Sequence, residues 1–245
     1  MIVVGAGRIG MALQQGAPEE VLLVDRATGW EALDAPPGEP VVLAVRNDDL
    51  DSVLERVPAR RRHDLVFVQN GALRTFLAER GLGGAARGVL YVLAERAGPA
   101  PVARTSYVCG PHAPRVARVF SSAGMPAVAV DRAAFGVHEL EKLVWLTAYA
   151  PLCEALALPV GTVDDAVPDA LAELLAELGS VVAAAWDTTV PDTLLERAVG
   201  WSEAIPHYRA AVKEWPWRNG WIDAEAARLH LPTPHHRRWL TAAGR

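Results

Sequence analysis

The stretch that decides the fold is residues 2–10, IVVGAGRIG, in which a short apolar run leads directly into a glycine-rich turn. Its glycines follow the pattern G-x-G-x-x-G, and a helical stretch begins near Ile9. In a strand, turn and helix of this kind, the first glycine permits the tight turn, the second admits a ligand close to the backbone, and the third lets helix and strand pack. The helix amino terminus favours negative charge. We therefore predict a dinucleotide site formed by Gly5, Ala6, Gly7, Arg8, Ile9 and Gly10.

The end of the second predicted strand carries a charge that bears on the choice of nucleotide. Asp25 lies 20 residues after Gly5, where an acidic side chain binds ribose hydroxyls and favours NAD. Its neighbour Arg26 has the opposite tendency, because an arginine pairs with the 2′-phosphate of NADP. Arg46, just after the third predicted strand, is either a further phosphate contact or an ordinary surface arginine. A glycine-rich turn that binds nothing is the simple alternative for the whole motif.

Short β-branched runs alternate with helical stretches through the first half of the chain, which predicts βαβ units. The predicted strands are Ile2–Val4, Val21–Val24, Val41–Val45, Leu65–Val68, Gly88–Leu93, Ser106–Cys109 and Val128–Asp131. Their apolar runs suit strands covered on both faces, with Asp49–Val57 and Leu73–Glu79 as crossover helices. We predict an α/β protein whose Rossmann domain, a doubly wound parallel sheet, spans residues 1–132.

From about Ala133 onward helical patterns replace strand patterns, so residues 133–245 are predicted to form an all-helical domain for substrate binding or dimerisation. Predicted helices are Gly136–Ala157, Pro168–Trp186, Pro191–Val199 and a further candidate at Ser202–Lys213. The last stretch, Pro232–Arg245, is predicted to be a solvated tail. The alternative is that its histidine pair, His235 and His236, binds a metal or nucleic acid.

Composition narrows the classes of partner. With 245 residues and 51% hydrophobic content the chain can bury a sizeable core, and its net charge of −5 gives no general attraction to nucleic acid or to an anionic membrane. Cys109 and Cys153 form no CxxC and no metal-ligand spacing, so neither a disulfide framework nor a metal site is expected. No window approaches a membrane span. We expect a soluble cytoplasmic protein that acts on a small molecule.

Several separated segments resemble the ketopantoate reductase family, which pairs a Rossmann domain with a helical substrate domain. The first is Asn70-Gly71 after the fourth predicted strand, and the second is Glu141-Lys142-Leu143-Val144. Pro151-Leu152 and Leu158-Pro159-Val160-Gly161 follow at the family's offsets. The last is a Ser…Glu…Asn-Gly segment in which Ser202 and Glu214 lie 12 residues apart and Asn219-Gly220 follows. The resemblance spans nearly the whole chain.

The resemblance implies a role for each matching residue. Lys142 would donate a proton, Asn70 would lie between nicotinamide and substrate, Ser202 would bind the substrate carboxylate, and Glu214 would assist at the reacting centre, with Asn219 in the substrate-binding segment. The family favours NADP. It places asparagines four and eight residues after the lysine, where this chain has Leu146 and Ala150. The implied activity is NAD(P)-dependent hydride transfer to a small 2-oxo acid or ketone with a more apolar side chain than ketopantoate.

Each of these residues also has an ordinary interpretation. Lys142 lies among apolar residues, where partial burial would lower its pKa. The alternative is a lysine on the helix surface that pairs with Glu139, three residues earlier. Ser202 and Glu214 fit a helix cap and a solvated carboxylate, and Asn70-Gly71 fits a turn.

The two replaced asparagines leave the function open. Leu146 and Ala150 fit either a new substrate or a non-catalytic NAD(P)-binding sensor or scaffold, and a dehydrogenase working in the oxidative direction is a further alternative. Seven of the eight tryptophans occur at Trp145 or later, which is compatible with a helical core, a homodimer interface or the wall of a substrate pocket.

Overall fold

The computed structural model describes residues 1–95, 98–100 and 104–245, which fall into two compact units, Met1–Phe135 and Gly136–Arg245. A boundary between residues 132 and 133, as expected from the sequence, would fall in the first turn of the helix Arg132–Leu156. The chain therefore passes from the first unit to the second inside a helix, without a separate linker.

The first unit is built on a seven-stranded sheet. Its strands lie in the order β2-β1-β3-β4-β5-β8-β9, and a separate two-stranded sheet pairs β6 with β7. The bounds are β1 Ile2–Val4, β2 Leu22–Val24, β3 Val41–Leu43, β4 Leu65–Phe67, β5 Ala86–Val89, β6 Leu93–Glu95, β7 Gly98–Ala100, β8 Ser106–Cys109 and β9 Ala127–Ala129. The helices of this unit are α1 Arg8–Gly16, α2 Leu50–Arg56, α3 Arg74–Glu79 and α4 Ala113–Ser122.

The central strands of the sheet are parallel and buried. β1, β3 and β4 are buried along their whole length, as expected of apolar runs covered on both faces. β1 pairs in parallel with β2 on one side and with β3 on the other, so successive strands add in opposite directions from β1. Ligands of open α/β sheets bind at such a switch point, beyond the carboxyl ends of the strands. The residues that follow β1 are at this position.

The α/β class predicted from the sequence is confirmed, with one correction to the strand directions. β8 runs antiparallel to β5, whereas the remaining neighbours in the sheet are parallel. Parallel strands need a crossover connection, usually a helix. The described residues between β5 and β8 hold only the β6–β7 hairpin, so the chain returns in the opposite direction. The predicted strand Gly88–Leu93 is accordingly shifted, because β5 ends at Val89.

A buried ion pair lies directly before the start of β4. Arg61 Nε lies 2.8 Å from Asp64 Oδ2, and both side chains have zero exposure. The same carboxylate accepts the backbone N–H of Gly38 at 3.0 Å and lies 3.0 Å from His112 Nε2. Arg61 donates to the carbonyl oxygens of Ala35, Pro36 and Glu39. The pair thus fixes the segment before β3 and the start of α4 together.

The second unit is helical, as predicted. Its elements are α5 Arg132–Leu156, which begins in the first unit, α6 Val163–Ala166, α7 Pro168–Trp186, α8 Leu194–Ala204, α9 Asn219–Leu229 and α10 Pro234–Ala242. The predicted helix Pro168–Trp186 is confirmed residue by residue. The candidate helix Ser202–Lys213 is wrong, because α8 ends at Ala204. Pro206 follows, and a proline disfavours the helical conformation of the residue before it.

The predicted solvated tail is also wrong. Residues of α10 at helical spacing are buried, with His236 fully enclosed and Trp239 and Leu240 at 8% and 5% exposure. The Glu177 carboxylate of α7 accepts the backbone N–H groups of His235 and His236, at 3.0 and 2.7 Å. An acidic side chain at a helix amino terminus accepts hydrogen bonds from the unpaired N–H groups, and its negative charge interacts favourably with the helix dipole. The C-terminal residues therefore belong to the core of this unit.

Among the described residues, no single helix is long and apolar enough to cross a membrane. The helix α5 and the segment Val160–Ala166, which meet at a bend of 79°, together meet that test by length and composition. Across the same residues, no three His, Cys, Asp or Glu side chains are grouped as they would be to hold a metal ion.

The buried ion pair gives a test of the first unit. Asp64→Asn leaves the Arg61 guanidinium buried without its counter-charge, so the free energy of unfolding should fall by about 3–5 kcal/mol. Asp34→Asn is the matched control, because Asp34 pairs with Arg60 at 3.3 Å and is 74% exposed. That change should cost about 0–1 kcal/mol. Urea denaturation measures both, and equal effects would show that the buried pair has no special role.

Candidate active site

The glycine loop after β1 is closely packed against its neighbours. Gly5 adopts φ +111°, and its N–H donates to Val24 O at 2.8 Å. A Cβ at Gly10 would lie 1.9 Å from the carbonyl oxygen of Gly5, which no side chain tolerates. Gly7 precedes α1 with no side-chain cap, and the first turn of α1 has no acidic residue. The loop therefore presents backbone N–H groups and a helix amino terminus to an anion.

A groove of about 660 Å³ lies beside this loop. It brings together residues from the ends of β1 and β2 with one face of α2. Its lining includes Gly5 and Ala6 of the glycine loop and the polar or aromatic side chains of Asp25, Arg26, Trp30, Asp49, Ser52 and Arg56. Four residues predicted for nucleotide binding, Gly5, Ala6, Asp25 and Arg26, thus meet in one groove of the first unit.

Asp25 is held in one orientation by the turn that follows β2. Its Oδ1 accepts the backbone N–H groups of Ala27 and Thr28, each at 2.8 Å, and the Thr28 hydroxyl at 3.1 Å. The N–H of Thr28, then that of Ala27, lowers the pKa of the Asp25 carboxyl below its ordinary value. The group is consequently a fixed negative charge at neutral pH. Such a charge suits the ribose hydroxyls of NAD and repels a 2′-phosphate.

Four of these groove residues, Trp30, Asp49, Ser52 and Arg56, were missed by the sequence analysis. Trp30 precedes a short 3₁₀ turn, and the Arg56 guanidinium lies 5.2 Å from the centre of its ring. Ser52 and Arg56 share the groove-facing side of α2. Their spacing of four residues, on the first α-helix after the third strand, was the available signal. Nothing in the sequence pointed to Trp30, because its place in the groove depends on the fold of the loop after β2.

Arg46 and Asn70 follow the next two strands. Arg46 is 74% exposed, with its guanidinium 3.6 Å from Asp48. Asn70 has an exposed side chain, while its carbonyl oxygen accepts the side chain of the buried Asn47 at 2.9 Å. Gly71 adopts φ +101°, so Asn70-Gly71 does form a turn. The turn leaves the Asn70 amide accessible at the carboxyl end of β4. Asn47, which binds the backbone of this turn, was also missed by the sequence analysis.

In the second unit, Lys142 is partly buried on α5. Its Nζ lies 4.8 Å from the centre of the Trp201 ring and 5.3 Å from that of Trp145. Leu146 and Ala150, which replace the family's asparagines, are buried on the same helix at 7% and 2% exposure. Lys142 is therefore not a fully solvated lysine, because its side chain lies over two aromatic rings.

Ser202 has zero exposure and lies on α8. Its hydroxyl accepts the indole N–H of Trp145 at 2.9 Å and donates to the carbonyl oxygen of Ala198 at 3.1 Å. The structure thus joins α8 to the lysine helix through Ser202. A direct contact of this hydroxyl with a substrate carboxylate stays a prediction.

Glu214 and Asn219 are also held within the unit. Glu214 adopts φ +53° and pairs with Arg218. Desolvation lowers the pKa of Arg218, and the Glu214 charge offsets part of that effect. Asn219 is fully buried, and its amide donates to Thr147 O at 2.9 Å and contacts His236 Nε2 at 3.0 Å. A Cβ at Gly220 would lie 2.2 Å from the Trp215 indole, which explains the glycine. The predicted Glu…Asn-Gly segment therefore includes a buried link between α5, α9 and α10.

The glycine loop gives a test of this geometry. Gly10→Ala forces Cβ against the Gly5 carbonyl, so the free energy of unfolding should fall by about 1–3 kcal/mol. Gly84→Ala is the control, because nothing lies within 4 Å of its added Cβ. It should stay within about 1 kcal/mol of the wild type. Thermal and urea unfolding measure both variants, and a neutral Gly10→Ala would contradict the close packing of the loop.

Comparison with known proteins gives matches to solved structures. No family model matches the chain, and no curated protein matches its sequence. A 2-dehydropantoate 2-reductase from Methylococcus capsulatus has a TM-score of 0.76 at 16% identity, covering 98% of this chain and 94% of the other. A dimeric ketopantoate reductase from Staphylococcus aureus has a TM-score of 0.73 at 15% identity, covering 99% and 96%.

A third match is a D-mandelate dehydrogenase solved with NADH and anilino(oxo)acetate. It has a TM-score of 0.71 at 14% identity and covers 100% of this chain and 97% of the other. Similarity at these identities concerns the fold, and the fold expected from the family resemblance is confirmed. The chain has the fold of ketopantoate reductases along its whole length.

Proposed function

We propose that this chain is an NAD(P)-dependent oxidoreductase that transfers hydride between nicotinamide and a small 2-oxo or 2-hydroxy acid or ketone. The observation that carries the proposal is the glycine loop at the switch point of the sheet, where Gly5 and Gly10 leave no room for side chains and a groove with a fixed Asp25 carboxylate lies alongside. These features fit a dinucleotide.

The residues of the first unit each have a part in this proposal. The backbone of Gly5–Gly10 and the start of α1 hold the pyrophosphate, and Asp25 accepts the ribose hydroxyls. Arg46 lies beyond β3 as a further phosphate contact, and the exposed amide of Asn70 orients the nicotinamide and the substrate carbonyl. The bound nucleotide supplies or accepts the hydride.

The charges of the groove bear on the choice of nucleotide. Asp25 supports NAD, because its negative charge is fixed by the turn. Arg26 and Arg56 also line the groove and would attract the 2′-phosphate of NADP. Among the proteins of similar fold, the D-mandelate dehydrogenase was solved with NADH. We therefore propose NADH as the preferred nucleotide and NADPH as the alternative.

In the second unit, Lys142 donates the proton to the carbonyl oxygen as hydride reaches the carbonyl carbon, and takes it back in the reverse direction. Glu214 assists at the reacting centre, and its bond to Arg218 fixes its orientation. Ser202 and Asn219 support the substrate-binding segment. Because Leu146 and Ala150 are apolar, the substrate should carry an apolar side chain. The dimeric ketopantoate reductase supports a homodimer for this chain.

Nucleotide binding is the first test. Titration with NADH and NADPH, followed by nicotinamide fluorescence, should show binding of NADH, and Asp25→Ala should weaken it about ten- to a hundredfold. Asp34→Ala, which removes a 74% exposed carboxylate, should have no effect. Binding of neither nucleotide would overturn the proposal. Binding without turnover on a panel of aliphatic and aromatic 2-oxo acids would favour the non-catalytic sensor.

Lys142 gives the second test. Lys142→Ala should lower kcat by about 10²–10⁴-fold on the 2-oxo acid that the panel identifies, with the Kd for NADH unchanged. Lys213→Ala is the matched control, because Lys213 is exposed and is the chain's other lysine. Steady-state kinetics and the fluorescence titration separate the two effects. Equal losses of turnover and nucleotide affinity would count against the role of Lys142 as proton donor.

A further inference from the structure

The ammonium of Lys142 lies between two indole rings that come from different helices. Trp145 is on α5, one turn after the lysine, and Trp201 is on α8. Both indoles are almost fully buried, at 3% and 2% exposure, while Lys142 keeps partial exposure. The faces of aromatic rings attract a cation through their quadrupole, and tryptophan does so best. Two such faces restrict an otherwise flexible lysine side chain from two directions.

The orientation of Trp145 is itself fixed by its surroundings. Its indole N–H donates to Ser202 Oγ at 2.9 Å, and its ring stacks on Tyr149 with centres 5.2 Å apart. The Trp201 ring meets it edge-on at 5.9 Å. Because the Ser202 hydroxyl is also bonded to Ala198 O, its lone pair points at the indole from a fixed place on α8. Removing the serine hydroxyl would therefore release Trp145 and leave its buried N–H unpaired.

We propose that Trp145 and Trp201 are positioning residues that hold the Lys142 ammonium for proton transfer, and that Ser202 acts by fixing Trp145. The inference rests on the proposed function as far as proton transfer is concerned. It assigns Ser202 a role through the indole rather than through a substrate carboxylate. Proton transfer to a carbonyl depends steeply on the position of the donor, so a lysine held by two rings reacts faster than one that samples many rotamers.

The contact can be measured without any substrate, because Lys142 and Lys213 are the chain's two lysines. Protein labelled with ¹³Cε-lysine gives two ε-methylene signals. Ring currents from the two indoles should move the Lys142 signal upfield of the Lys213 signal. Trp201→Leu should return it most of the way, whereas Trp201→Phe, which keeps an aromatic face, should retain much of the shift.

Ser202→Ala tests the second part of the proposal by the same method. It should reduce the shift of Lys142 and speed hydrogen exchange of the Trp145 indole N–H. Trp239→Leu, which removes a buried tryptophan from α10, controls for a general effect of losing an indole and should leave the Lys142 signal in place. A wild-type Lys142 signal at the Lys213 position, or one that Trp201→Leu does not move, would overturn the proposal even if other variants fail to fold.

Kinetics then connects the contact to the reaction. On the 2-oxo acid identified by the panel, Trp201→Leu should lower kcat about ten- to a hundredfold with the Kd for NADH unchanged, and Trp201→Phe should restore most of it. Unchanged kcat in Trp201→Leu despite a lost ring-current shift would overturn the positioning role. Full activity of Lys142→Ala would overturn the role of Lys142 as proton donor, whereas binding of neither nucleotide would overturn the proposed function, so the failures are distinguishable.

Discussion

The close approach of Gly10 to the carbonyl oxygen of Gly5 is the constraint on which the first unit depends. It brings the start of α1 against the end of β1, and it is possible only because Gly10 has no side chain. At Gly5 an added Cβ would instead lie 2.8 Å from Ala44 O. The direction in which α1 leaves the end of β1 follows from the contact between Gly10 and Gly5. The strands on either side of β1 then bring Asp25 and Arg46 to the same edge. The absence of a side chain at Gly10 thus determines how α1 packs on β1, and the strands beside β1 determine which charges lie at this edge of the sheet.

The sequence predicted what depends on local patterns. The glycine motif, the buried strands and the helix Pro168–Trp186 all carry their signal within a short stretch, and the structure has them in place. The reversal at β8 was missed because it depends on what connects two strands rather than on the strands themselves. Gly88–Leu93 has the composition of one strand, yet the chain leaves the sheet at Leu90.

The candidate site was predictable only in part, for the same physical reason. Residue types and spacing pointed to Gly5–Gly10 and Asp25, because the chemistry of a dinucleotide site lies in a contiguous loop and a strand end. Spacing alone could not show that Ser202 and Trp145, 57 positions apart, share a hydrogen bond. Nor could it show that a polar, histidine-containing C-terminus is buried, because burial there is created by α7 and by Asn219.

The burial of α10 has a consequence for how the protein is made. His236, Trp239 and Leu240 of α10 complete the core of the second unit, and they are synthesised after all its other helices. The first unit holds its whole sheet within residues 1–135 and can acquire its structure during synthesis, as N-terminal domains generally do. The second unit can complete its core only once α10, which follows its other helices along the chain, has been synthesised. The nucleotide groove can therefore form before the packing of the second unit is complete.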